Sequence, residues 1–163
     1  MNAAAPGFLV ALETSELGAL IRQSAWIYPT ANITHVVAIV LFAGAIAVMD
    51  VRLMGGMAGS DPARVVRGAR RAAVLALIIV LLSGAVLFTA EASHVALNGI
   101  FQLKMALIAF GIVHAFFVGN RAVRALDALG PQAPMPGFAR FAGALSMLTW
   151  LGVVGLGRYI AHN

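Results

Sequence analysis

Cysteine is absent from this 163-residue chain, and only 10% of its residues are charged. Without thiols there is no disulfide scaffold, no Cys-ligated zinc, no iron–sulfur cluster and no thiol nucleophile. Redox chemistry would have to be borrowed from a cofactor. Average soluble domains carry roughly a quarter charged residues, whereas this chain is 61% hydrophobic with a mean hydropathy of +0.94. That composition excludes disorder and an ordinary cytosolic domain. Acidic residues are few as well, 6 against 11 basic ones, for a net charge of +5. That excess would suit nucleic acid, but the positions of the basic residues mark membrane sidedness instead, and no nucleic-acid partner is expected. The motifs of soluble hydrolases and nucleotide binders are missing too. There is no GxSxG, no HExxH, no phosphate-binding glycine loop and no pair of carboxylates at one depth.

What is present is four apolar runs, each about as long as a hydrocarbon core needs at about 20 residues. Residues 31–54, 72–94, 99–120 and 138–161 are the expected spans. They predict an all-α, polytopic membrane four-helix bundle, one domain over 1–163, with the lipid bilayer as its first partner. Arg52, Arg64, Arg67, Arg70 and Arg71 lie at or in the first connection, and Arg121, Arg124 and Arg140 in the third. The positive-inside rule makes that side cytoplasmic and leaves both termini outside, on the periplasmic face. The few residues around Leu97, Asn98 and Gly99 predict a tight hairpin of spans two and three. Residues 8–23 predict an N-terminal interfacial helix, followed by Trp26 and Tyr28 as belt aromatics and Pro29 in the next first turn. Glu13 and Glu16 lie where a cleaved signal would have its apolar core, so the N-terminus is expected to be retained. Residues 130–137 form a breaker-rich loop before the last span.

Ionisable groups inside a bilayer cost energy and are functional candidates by default. Counting from the outer boundary at about 1.5 Å per residue places His35 at about 9 Å, Lys104 and His94 at about 8 Å and Glu91 at about 12 Å, with Arg158 near the outer end of span four. Four helices thus deliver His35, Glu91, His94, Lys104 and Arg158 to one outer layer. Haem b is the cofactor this layer suits: axial nitrogens from facing helices, small residues (Ala31, Ala38, Ala45) beside Phe42 and Met49 for the ring, and cations for propionates. His35 is the expected first iron ligand, His94 or Lys104 the second, Arg158 a propionate partner with Lys104 or Arg22 as alternatives, and Glu91 an orienting or proton-shuttling group. The same cluster reads otherwise as a structural set of satisfied polar groups or as a transport site. His114, about 13 Å deeper than His35, cannot share its iron and is expected to hydrogen-bond Asp50. Met49, Met54 and Met57 offer soft thioethers for copper without a defined shell. His162 has no assigned role.

The run Ile21-Arg22-Gln23-Ser24-Ala25-Trp26-Ile27-Tyr28-Pro29, then His35 and Asp50-Val51-Arg52-Leu53-Met54-Gly55, resembles an uncharacterised family of bacterial four-helix inner-membrane proteins, a domain of unknown function. Ser83-Gly84-Ala85-Val86-Leu87-Phe88, Asn98 with Phe101 and Lys104-Met105, and Trp150-Leu151-Gly152 with Gly157-Arg158 extend the resemblance along nearly the whole chain. Asn32 stands where the family pattern tends to have Glu, and His114 where it tends to have Asn. More distantly, His on the first span with Lys on the third is similar to HemJ-type membrane protoporphyrinogen oxidases and CopD-like copper-resistance proteins. The former similarity implies a haem held by His35 and Lys104. Together these readings predict a multi-pass protein of the bacterial inner membrane transferring electrons near the periplasmic face. Quinone or a periplasmic redox protein is the expected exchange partner, and a larger membrane complex a natural setting. A non-redox subunit, a small-solute or copper transporter, and a porphyrinogen-oxidising enzyme are the alternatives.

Overall fold

The computed structural model describes the backbone of residues 5–126, 129 and 133–160, with side chains described as far as Gly157. Among the described residues every regular element is helical. Two short helices, α1 (Gly7–Thr14) and α2 (Glu16–Gln23), precede four long ones. The expected single helix over 8–23 is divided because the Ser15 hydroxyl accepts from Gly18 N at 3.1 Å, an N-cap that starts a new helix.

Helix α3 (Ile27–Leu53) begins with Pro29 in its first turn. Helix α4 (Pro62–Ala90) begins ten residues before the expected boundary at 72, because Asp61 caps Arg64 N at 3.1 Å and Pro62 occupies the first turn. Arginine is a good helix former, so Arg64, Arg67, Arg70 and Arg71 belong to the helix rather than to a loop. At the other end the expected span to 94 also fails. Glu91 leaves helical geometry (φ −138°, ψ 31°), and His94 lies on a separate short helix, α5 (Ala92–Ala96). Helix α6 (Gly99–His114) is capped by the Asn98 side chain, which accepts from Ile100 N and Phe101 N. It runs through a π-helical turn, Ala115–Gly119, into α7 (Asn120–Leu126). Helix α8 (Gly137–Ile160) closes the bundle. Four stretches, Ile27–Leu53, Pro62–Ala90, Gly99–Leu126 and Gly137–Gly157, are long and apolar enough to cross a membrane. Their outward residues, such as Val40, Leu75, Leu82 and Leu148, are large and apolar, as a lipid-facing surface requires.

The packing order is α4, α3, α8, α6. The tight hairpin of spans two and three does not form: no α-carbon of α6 comes within 8 Å of one on α4 or α3. Only side chains bridge α4 and α6 near the α5 end, where the Phe88 and Phe101 rings stack at 5.6 Å. Helix α5 fills the connection and lets the two long helices splay. At mid-bundle Phe42, Ile46, Ala73, Ala76 and Trp150 form one core, with Trp150 edge-on to Phe42 at 4.6 Å. Gly111 lets α6 approach α8 here, since a Cβ at that position would lie 2.7 Å from the indole. A second core at the arginine-rich end joins Leu53, Val66, Ala122, Leu126, Met135 and Ala139.

Candidate functional site

His35 lies on the inward stripe of α3 that continues through the buried Ala38, Phe42 and Ile46. Its ring meets α4 at two residues that sequence reasoning gave no role. Ser83 Oγ is 2.9 Å from His35 Nδ1, and a Cβ on Gly84 would lie 3.0 Å from Cε1. Only glycine leaves the imidazole this seat. Depth alone could have found the pair: Ser83 is seven residues before the end of α4 and His35 eight after the start of α3, both about 11 Å in.

The contacts of Ser83 favour one tautomer of His35. Ser83 has a single hydroxyl hydrogen, and its shortest acceptor is the Ile79 carbonyl at 2.6 Å, the usual back-bond of a helical serine. Oγ is then left to accept, and the ring donates to it through Nδ1. Nε2 keeps its lone pair. A histidine whose other nitrogen is fixed by a hydrogen bond is the arrangement found in metal-ligating imidazoles.

Half-buried Lys104, on α6, is near enough for its charge to act on His35. Its stem passes alongside α8, where a Cβ on Gly157 would lie 3.9 Å from Lys104 Cδ. Its ammonium sits 5.2 Å from the Phe101 ring centroid, a cation–π contact that holds the amine under the aromatic bridge. Of the five residues expected in one layer, Lys104 is the one described side chain whose charge acts on His35. Glu91 and His94 are exposed, beyond the end of α4. Glu91 accepts from the Tyr28 hydroxyl at 3.3 Å, and His94 acts electrostatically on Glu13. Arg158 is on the last turn of α8 with its side chain outside the described residues, and His162 also lies outside them.

A second polar group forms a clamp over this end of the bundle. Arg22 donates to the Glu13 carbonyl at 2.7 Å and the Ala90 carbonyl at 2.8 Å, which satisfies the C-terminus of α4. Arg22, an alternative propionate partner in sequence, is committed here. Glu13 accepts from Ser93 N at 2.7 Å and Ser93 Oγ at 2.5 Å. These bonds hold the Glu13 carboxyl below the usual glutamate range. A depressed folded-state pKa contributes stability above the unfolded value that is lost as pH falls through the folded one. Acidification through that window is therefore expected to release α1 from α5 while α2, held to the Ala90 carbonyl through Arg22, and the long helices persist. Faster amide exchange over residues 7–14, already present at neutral pH in Glu13→Gln, is the readout; pH-independent exchange would show that the clamp does not depend on the charge.

Deeper in the bundle, the expected hydrogen bond between Asp50 and His114 is not made. Asp50 Oδ1 and Oδ2 and His114 Nε2 are buried without partners, and both residues line one cavity. Among the described residues no three His, Asp or Glu converge as a metal-holding group. No curated protein and no solved structure matches the chain, so the similarity to HemJ-type and CopD-like proteins gains no support from comparison. The profile of a family of unknown function, DUF6644, matches residues 8–163, and the chain belongs to that family.

Proposed function

We propose that this protein is a membrane-embedded b-type haem protein that passes electrons near the periplasmic face of the bacterial inner membrane. The observation that carries the reading is the seat of His35, with Nδ1 2.9 Å from Ser83 Oγ, Gly84 against the ring and the charge of Lys104 within reach; a ring that donates through Nδ1 would leave the Nε2 lone pair for a metal. The donor set fits a porphyrin better than a bare ion. A porphyrin brings four nitrogens of its own and asks the protein for one or two axial ones, whereas a bare metal needs a cluster that the described residues lack.

His35 would hold the iron through Nε2, and Ser83 would fix the ring's rotation and raise its basicity as a ligand. Lys104, as a neutral amine, is the second ligand this placement favours; His94, exposed on α5, would need α5 to move. Haem supplies one-electron transfer when bound. Phe88 and Phe101 shield the pair from the aqueous face, and Arg158, by its position on α8, remains the candidate propionate partner. Sidedness is supported by Arg64, Arg67, Arg70 and Arg71 on the first turns of α4 and Arg121 and Arg124 on α7, which packs beside them. The test is the optical spectrum of the protein purified from haem-supplemented cells. Sharp low-spin bands on reduction are expected, and a colourless folded protein would refute the proposal.

A further inference from the structure

The cavity below Phe42 and Trp150 has a volume of about 200 Å³ and lies between α3, α4, α6 and α8. Its walls are apolar apart from Asp50, Arg70, His114 and Ser146. Asp50 is 0% exposed and His114 8% exposed, yet neither carboxylate oxygen nor His114 Nε2 has a hydrogen-bond partner. Ser146 lies against the Asp50 carboxyl without hydrogen-bonding geometry to it. Arg70 donates instead to the Ala115 carbonyl at 3.3 Å. A buried polar group whose hydrogen bond is unmade costs about 1–3 kcal/mol, more when charged, so two lining one cavity point to an occupant that completes them. The π-helical turn beginning at Ala115 directly follows His114, and such turns recur at functional sites.

The cavity opens sideways. Phe116 is 63% exposed, Val74 49% and Ile112 40%, and all three also line it. The opening lies where α4 and α6 make no backbone contact, at mid-depth of helices that span by length and composition. A ligand entering there arrives from the hydrocarbon phase. It must be apolar in body, small enough for less than the about 300–1,000 Å³ of a drug-sized pocket, and able to donate to a carboxylate while meeting an imidazole nitrogen. A phospholipid headgroup would place its phosphate against Asp50, and a bare cation would find too few donors.

We infer that this cavity binds the ring of a lipid-soluble quinol, with Asp50 and His114 holding its hydroxyls and the isoprenoid tail leaving between α4 and α6. In the quinol, one hydroxyl donates to the Asp50 carboxylate; the other ring oxygen pairs with His114 Nε2. Aromatic Phe42, Trp150 and Phe116 flank the flat ring. Phe42 at the top of the cavity is seven residues, about 10 Å, from His35 along α3. Exchange of electrons between the two sites rests on the haem reading; occupancy of the cavity does not.

Trp150 reports on the site from within. The chain has two tryptophans, so full-length protein carrying Trp26→Phe, in detergent, leaves one emitter at the cavity wall. Titration with decylubiquinol, kept reduced under anaerobic conditions so that its hydroxyl can donate to the Asp50 carboxylate, is expected to quench it saturably. Asp50→Asn, which is isosteric, and His114→Gln should each weaken the apparent affinity about tenfold or more, with helicity and elution volume unchanged. The same alkylated ring without its oxygens should not compete. Quenching that rises linearly, that is equal in both variants, or that the oxygen-free analogue blocks equally would overturn the assignment. Ser146→Ala, the mildest change on that wall, guards against misfolding: it is expected to fold and to weaken binding less than Asp50→Asn, and the reverse order would also overturn it. Saturable quenching in protein with no haem spectrum would sink the haem proposal alone, and a haem spectrum without saturable quenching would sink this one alone.

Discussion

His35→Ala is expected to abolish the low-spin haem spectrum completely, whereas Lys104→Ala is expected to retain haem in a high-spin form. The difference comes from how each side chain is held. His35 is seated between Ser83 and Gly84 on α4, the neighbour against which α3 packs most extensively, so its Nε2 is preorganised and no rotamer entropy remains to be lost on ligation. Lys104 is on α6, which stands away from α3, and its long stem retains freedom that ligation must remove. If both residues ligate a haem, loss of the flexible one would leave the iron one bond short, and loss of the fixed one would leave it no anchor. Reduced-minus-oxidised spectra with a pyridine haemochrome assay measure both occupancy and spin state. Equal haem content in His35→Ala and the parent would remove His35 from the site, and an unchanged low-spin spectrum in Lys104→Ala would return His94 to consideration.

Trp150→Ala is expected to destabilise the bundle by about 3 kcal/mol, the lower end of the range for emptying a core of a tryptophan. The lower end applies because lipid is as apolar as the core, leaving lost dispersion and the cavity as the cost. The damage should be directional. Helix α6 packs on α8 and on neither α3 nor α4, and Trp150 is wedged between Phe42 of α3 and Gly111 of α6. Removing it loosens the one long helix–helix contact that α6 has. Reversible unfolding in mixed micelles, with hydrogen exchange along 99–126, measures the effect. A loss below about 1 kcal/mol, or one spread evenly over all four helices, would contradict this role.

Much of this arrangement was legible in the residues. Four long apolar runs and the arginine-rich end follow from 1.5 Å per residue and the energetics of charge in hydrocarbon. Three features were hidden for identifiable reasons. Hydropathy windows stop at charge, so they cut off the first turns of α4, where Asp61 and Pro62 start the helix regardless of the arginines that follow. Glu91 and His94 were placed by extending α4 at constant rise; the backbone turns at Glu91 and carries His94 outward. Asp50 and His114 do share a depth, but depth says nothing about lateral distance, and the splay of α6 from α4 leaves a cavity between these groups rather than a bond. Ser83 and Gly84 were overlooked because a serine and a glycine in an apolar helix are ordinary packing residues. Only their contact with His35 gives them meaning.

The most direct measurement is the dithionite-reduced minus oxidised spectrum of the folded, full-length protein expressed with ample haem precursor. Near-stoichiometric b-type haem with sharp low-spin bands is the predicted result. A monodisperse, helical protein that shows none, and takes up none when haem is titrated into the detergent solution, would contradict the assignment of His35 and Lys104 to a haem.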